Sequence, residues 1–228
     1  MIAHNLETIR QRIAEAALRS GRQAEDVRIV AAAKGQGRAK IREALASGLL
    51  IVGHNYVQEA SEESLTETPQ GVEFHMIGHL QKNKAGPAVD LFHVIQTLDD
   101  PKLAVALNRR AETAGRTIGV MIQVSLADEP QKSGIPGAEV PQLVEAVRSL
   151  DRLRLLGLMT MPPFFDQPER ARPFFARLRE LRDRLIAAGI LAQDMHELSM
   201  GMTGDFQVAV EEGATLVRIG TALFGPRA

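Results

Sequence analysis

The chain has 228 residues, 45% apolar and 24% charged, a balance that folds and leaves room for a sizeable core. Its 27 basic and 28 acidic residues nearly cancel, and aromatics make up 4% with one Tyr and no Trp, which argues against a nucleic-acid or anionic-lipid surface. The absence of cysteine excludes disulfides, thiolate catalysis and cysteine-held metal centres, and no apolar run reaches the roughly 18 residues of a membrane-spanning helix.

Ile2, Leu6, Ile9, Ile13 and Ala17 recur at helical spacing near the start, with Glu7 and Glu15 between them. A signal peptide would have an unbroken apolar stretch and a transit peptide would avoid acids. The segment is therefore predicted to be an amphipathic helix of a cytoplasmic protein. After it, short β-branched or apolar runs alternate with segments rich in Ala, Leu, Glu and Arg. Strands are predicted over Val27–Ala33, Leu50–Val52, Val72–Ile77, Leu91–Ile95, Thr117–Val124, Leu153–Met159, Met195–Leu198 and Thr215–Ile219. Helices are predicted over Arg38–Ala46, Pro101–Thr113, Val140–Leu150, Arg172–Ala188 and Asp205–Glu212. Alternation of this kind predicts βα units with parallel pairing. Eight of them predict an α/β fold, a (β/α)8 TIM barrel made of residues 1–228 as one domain, with an open doubly wound sheet as the rival. Eight strands have seven intervening helices, and the extra N-terminal helix would fill the eighth place in the ring. Met161 to Pro173 reads as a long connection within the domain.

Active sites of such barrels lie at the C-terminal ends of the strands. The first strand runs into Lys34. A lysine among small apolar residues is partly desolvated, which favours the neutral, nucleophilic amine that an aldehyde requires. The plain alternative is a strand-end lysine that reaches into solvent. Ser199-Met200-Gly201-Met202-Thr203-Gly204-Asp205 reads as a turn rich in Gly and hydroxyls before a helix start, and Gly220-Thr221 follows the last strand. Both turns suit a phosphate, and each alone is equally explained as a tight βα turn. Arg218, between Val217 and Ile219, needs a partner: a carboxylate, or the ring nitrogen of a pyridine that it would leave unprotonated.

Several segments in order then resemble one family. They are Ala33-Lys34, Gly53-His54-Asn55-Tyr56-Val57-Gln58-Glu59, His75-Met76-Ile77-Gly78-His79-Leu80-Gln81-Lys82-Asn83-Lys84 and Lys132-Ser133-Gly134-Ile135. They continue with Gly157-Leu158-Met159-Thr160-Met161-Pro162, Leu198-Ser199-Met200-Gly201-Met202 and Val217-Arg218-Ile219-Gly220-Thr221-Ala222-Leu223-Phe224-Gly225. The chain resembles the pyridoxal phosphate homeostasis proteins, relatives of the alanine racemase barrel. The resemblance implies pyridoxal 5'-phosphate held as a Schiff base on Lys34. It implies phosphate contacts around Ser199, Gly201, Thr203, Gly220 and Thr221, Arg218 near the pyridine nitrogen, and Asn55, His75 and Met159 around the ring. It implies a carrier or regulator of the cofactor, monomeric or weakly dimeric, with pyridoxal-phosphate-dependent apoenzymes as partners. Nucleic acid and membrane are not expected partners.

Three departures from the family pattern stand out. Gly35-Gln36-Gly37 replaces the usual Thr-Lys-Pro, so a second lysine is missing. His54 replaces an acid, and Thr203 stands where Ser is more common. His75 and His79 are four apart on a strand-to-loop junction, not on one helical face, and no metal site is expected. The competing function is an amino-acid racemase or another weak cofactor-dependent enzyme. A racemase needs a base on each face of the bound amino acid. Tyr56 is the only phenol, and His54, read as a loop residue, is the other conceivable base. A phosphosugar enzyme would need a strand-end carboxylate, for which Asp128 and Asp166 are the poorly placed candidates.

Overall fold

The computed structural model describes residues 1–62, 69–126 and 133–226; Asp128 and Lys132 lie outside these. The apolar runs form β1 (Arg28–Ala32), β2 (Ile51–His54), β3 (Glu73–Met76), β4 (Val94–Leu98) and β5 (Ile118–Ser125). The two-residue β6 (Ile135–Pro136) follows, then β7 (Leu153–Met159), β8 (Glu197–Met202) and β9 (Leu216–Ile219). Every pairing is parallel, in the order β4-β3-β2-β1-β9-β8-β7-β5, and β4 also pairs with β5, which closes the ring. The fold is the expected (β/α)8 TIM barrel, with β6 an added pairing on β5.

These strands are apolar on both faces because both are buried. Val30, Ile51, Ile77, Val94, Met121, Met159 and Leu216 form a cluster inside the barrel. Ile29, Ala31, Ile95, Val120, Leu158, Val217 and Ile219 turn outward and join the larger core beneath the helices. Two predicted strands are displaced. The fourth begins and ends three residues later than Leu91–Ile95, because Leu91 closes a helix and the strand continues through Gln96 and Thr97. The seventh continues through Ser199 to Met202, residues that read as a turn. In both, polar residues facing the interior interrupt the apolar run while the strand goes on.

The outer layer comprises α1 (Ile2–Arg19), α2 (Arg38–Ala46), α3 (Val57–Glu62), α4 (Ala85–Leu91), α5 (Pro101–Thr113), α6 (Val140–Arg148), α7 (Arg172–Ala187), α8 (Phe206–Glu211) and α9 (Thr221–Phe224). α1 takes the eighth place, packed against α2, α8 and α9. Its buried stripe is Ile2, Leu6, Ile9, Ile13, Ala16 and Ala17. Polar contacts fix its register: Asn5 Nδ2 donates to Leu223 O at 2.9 Å, Arg12 donates to Gln207 at 2.6 Å and lies over the Phe206 ring, and Glu43 accepts from the amide of Ile2 at 3.1 Å. The chain continues past the last strand into the single turn of α9. Among the described residues no helix is long and apolar enough to cross a membrane.

Candidate functional site

Strand alternation points Val30 and Ala32 into the barrel, and Lys34 continues that parity at the C-terminal end of β1. The ladder extends by one bond, Ala33 N to Gly53 O at 2.9 Å. The chain then turns, with Gln36 N donating to Ala33 O at 2.8 Å and Gly35 at φ 68°, a left-handed conformation suited to glycine. Lys34 is half-buried, and its Nζ lies 5.2 Å from the centroid of the Tyr56 ring. It meets a cation–π platform rather than only small apolar neighbours. Gln36, where the family pattern has a second lysine, is buried. It accepts from Lys40 Nζ at 2.9 Å, and Lys40 also reaches Phe224 O at 3.2 Å. That substitution ties the β1 turn to α2 and α9.

Arg218 on β9 pairs in register with Val30 and lies inside the barrel, below Lys34 along the strand direction. Among the described residues no carboxylate bonds it. NH1 donates to Ser199 Oγ at 2.7 Å and NH2 to Thr160 O at 2.9 Å. Burial pushes the guanidinium down to about 10, partly opposed by Asp205, so it remains charged at neutral pH. Two of its five donors are thereby used. Ser199 in turn donates to Gln96 Oε1 at 2.6 Å, Gln96 Nε2 lies 2.8 Å from His75 Nδ1, and His75 Nε2 lies 2.9 Å from Glu73. Burial holds His75 below its usual range, against the pull of Glu73. The hydrogen bond from His75 holds Glu73 below the usual carboxylate range.

The two turns expected to hold an anion come together. Ala222 N, at the start of α9, donates to Thr203 Oγ1 at 3.4 Å, and Gly220 lies beside Ala32 on the strand that delivers Lys34. Gly201 has φ 90°, and a Cβ there would sit 2.5 Å from Ala209 Cβ, so only glycine lets β8 pass this close to α8. Thr221 is exposed at the mouth. The start of α8 differs from expectation. Asp205 stands before it, half-buried, and accepts from Met202 N at 2.6 Å; burial raises its carboxyl above the usual range. Asp205 thus places a carboxyl at the start of α8, while the amides and hydroxyls around Thr203 and Thr221 carry no acid among them.

Other expected residues separate. The Ser199 side chain does not face the turn: it is fully buried in the barrel and engaged by Arg218 and Gln96. Met159 is buried inside the barrel, and Asn55 is half-buried with its backbone pressed on Gly78, where a Cβ would lie 2.2 Å from Asn55 O. His54 is not a loop residue. It ends β2 on the outward face, buried against Phe74 with ring centroids 6.0 Å apart and turned away from the interior. Burial lowers it to about 4. His79 is exposed, 3.8 Å from Asp99, and Asp166 is also exposed. Among the described residues no group of three or more His, Asp or Glu could hold a metal ion.

Glu73, Gln96, Thr160 and Gln123 were not singled out from sequence. Gln123, on the inward face of β5, donates to Ser133 O at 2.9 Å while its Oε1 is buried with no partner among the described residues. A polar residue inside an otherwise apolar strand was the available signal. An amine at the mouth, a buried charged guanidinium beneath it, a buried acceptor without a partner and two glycine–hydroxyl turns fit a phosphorylated pyridine aldehyde.

The alanine racemase N-terminal domain family matches residues 1–228. The pyridoxal phosphate homeostasis protein of Aquifex aeolicus (strain VF5) is 39% identical over 222 residues, covering 97% of this chain and 96% of that one. That of Pseudomonas aeruginosa is 39% identical over 228 residues, covering 99% and 96%. The structure of PipY from Synechococcus elongatus PCC7942, with PLP bound, superposes with a TM-score of 0.86 at 34% identity, covering 99% of this chain and 100% of PipY. The chain belongs to the pyridoxal phosphate homeostasis protein family, built on the barrel of the alanine racemase N-terminal domain.

Proposed function

We propose that this chain binds pyridoxal 5'-phosphate and acts in its intracellular homeostasis, with residues 1–228 working as one cofactor-binding domain in the cytoplasm. The observation that carries the reading is the convergence on one barrel end of the Lys34 amine and the Thr203–Ala222 junction, above Arg218. Lys34 holds the aldehyde as a Schiff base, with one water released for the C–N bond formed. The loop amides and hydroxyls of Thr203, Gly220 and Thr221, with the backbone at Gly201, receive the phosphate. Arg218 faces the ring nitrogen, and Asn55 and Met159 border the ring. When bound, the cofactor supplies an electrophilic aldehyde and an electron-withdrawing ring.

The racemase reading finds less support. Tyr56, the only tyrosine, has its ring engaged by the Lys34 ammonium, and His54 faces outward. A proton donor and acceptor on opposite faces are what racemisation requires. A charged Arg218 also leaves the ring a weak electron sink. Holding and release, with transfer to cofactor-dependent apoenzymes, match these residues better.

The test is borohydride reduction of the loaded full-length chain followed by peptide mapping. The reduced adduct is expected on Lys34 and absent from Lys34→Ala. An adduct on Lys40, Lys82 or Lys132 would overturn the assignment.

A further inference from the structure

Glu73, His75, Gln96, Ser199 and Arg218 come from four different strands, yet they form one unbroken line across the barrel interior. Its far end is Glu73, half-exposed on a cavity of about 700 Å³ between α1 and the barrel floor, opposite the mouth. Donor counting leaves the line only one sense. A neutral imidazole has one donor and one acceptor, and a carboxylate only accepts. At 2.9 Å from Glu73, Nε2 of His75 must donate, so Nδ1 must accept. Gln96 therefore turns its NH2 to His75 and its carbonyl oxygen to Ser199, 2.6 Å away. Ser199 must spend its single proton on Gln96, which leaves only lone pairs for Arg218. Every link donates toward Glu73. The line starts at a cation and ends at an anion, and no proton in it is free to move toward Arg218.

The opposite sense would be worse at each link. If Gln96 were turned over, Ser199 would receive two donors and its own proton would lack an acceptor among these groups. His75 would then set a bare nitrogen against a carboxylate. Burial of His75, which disfavours the doubly protonated ring, closes the remaining alternative. A satisfied buried network of this kind fixes geometry at a cost that a half-satisfied one would not repay.

We propose that Gln96 and His75 are positioning residues for Arg218: by making Ser199 an obligate acceptor, they hold the guanidinium as a fixed donor to the ring nitrogen of the bound cofactor. This rests on the function proposed above and adds how the ring nitrogen is kept unprotonated. Arg218 is steered from beneath by groups that never touch the cofactor. His75 thus acts three links away from the guanidinium, not as a ring contact.

The experiment uses the full chain loaded with pyridoxal 5'-phosphate labelled with ¹⁵N in the ring. At neutral pH the ring nitrogen is expected to resonate as unprotonated and hydrogen-bonded. Gln96→Leu should move it in the same direction as Ser199→Ala and weaken cofactor binding roughly tenfold, about 1.4 kcal/mol, whereas Gln96→Glu, whose carboxylate still accepts from Ser199, should move it less. Thr215→Val breaks a comparable side-chain bond to Leu198 outside the line and should leave the resonance in place. A resonance that stays put in Gln96→Leu while Ser199→Ala moves it would overturn the proposal. A second reading needs no cofactor. In the unloaded chain, the ¹⁵N shifts of His75 should report the Nε2–H tautomer and should change in Gln96→Glu. An Nδ1–H or doubly protonated His75 at neutral pH would overturn the proposal even where the cofactor binds. Failure of the wild-type chain to take up cofactor would instead overturn the proposed function and the role of Arg218 with it.

Discussion

His54 and His75 show how one step of strand parity decides a histidine's chemistry. Gly53 pairs with His75 and His54 with Met76, so the two imidazoles sit on opposite faces of adjacent strands. His75 faces a polar interior that supplies a partner for each nitrogen. His54 faces Phe74 and Phe92, and burial holds it at about 4. Because that value lies below the 6.5 of an unperturbed histidine, the unfolded chain takes the proton first. The stability tied to neutral His54 is complete above pH 6.5 and is lost as the pH falls from 6.5 toward 4. His54→Phe should flatten the acid limb of the stability curve by up to about 3 kcal/mol over that window. Urea denaturation between pH 7.5 and 4.5 would measure it, and parallel curves for variant and wild type would refute it. From sequence, Gly53-His54-Asn55-Tyr56 reads as a loop because Gly and Asn favour turns. Counting alternation onward from Ile51, which faces inward, places His54 outward, and only the neighbouring rings in the fold show how dry that face is.

At the scale of elements, helices were the most legible part of the sequence. Arg38–Ala46 and Pro101–Thr113 form as predicted, and α1 fills the vacancy left by eight strands and seven connections. Asp100 caps α5 by accepting from Lys102 N at 2.8 Å, with Pro101 behind it, a start signal that sequence carries directly. Strand ends were less legible where it mattered most. The mouth ends of barrel strands carry inward polar groups: Gln96 was missed for that reason, lying beyond a strand read as ending at Ile95, and Ser199, named as a phosphate contact, was assigned to a turn although it lies on β8. Lys34 and Arg218 were legible because a charge in an apolar run needs an explanation, whereas a neutral Gln or Ser does not. The role of α1 makes its own prediction. Leu6→Ala, at a buried position, should cost about 3 kcal/mol, while Leu18→Ala, on the same helix and 80% exposed, should stay within about 0.5 kcal/mol. Equal losses in denaturant midpoints would mean that α1 does not belong to the ring.

For the molecule as a whole, closure of the barrel sets the tolerance for change. β5 and β7 pair through a register shift between Val120 and Met121, and β7 then meets β8 at Gly157 opposite Glu197. A Cβ at Gly157 would lie 2.0 Å from Glu197 O, a backbone atom that can move only by parting the two strands. Gly157→Ala should therefore cost more than about 3 kcal/mol and weaken cofactor uptake, since β8 carries Ser199 and leads into Thr203. Calorimetry and cofactor titration would check both effects. A variant with wild-type stability would show that the seam between β7 and β8 is not so tight.

The bond from Asn5 to Leu223 joins the first turn of the first helix to the last helix, and β1 lies between β2 and β9. During synthesis the leading helix emerges with its apolar stripe exposed, and the surfaces that cover it on α8 and α9 are made last. Because β9 pairs with β1, the ring closes only once the C-terminal strand is in place, which makes closure a long-range docking step. The turns meant for the phosphate are finished in that same step. A chain truncated before β9 would lack Arg218 and leave part of the apolar stripe of α1 uncovered.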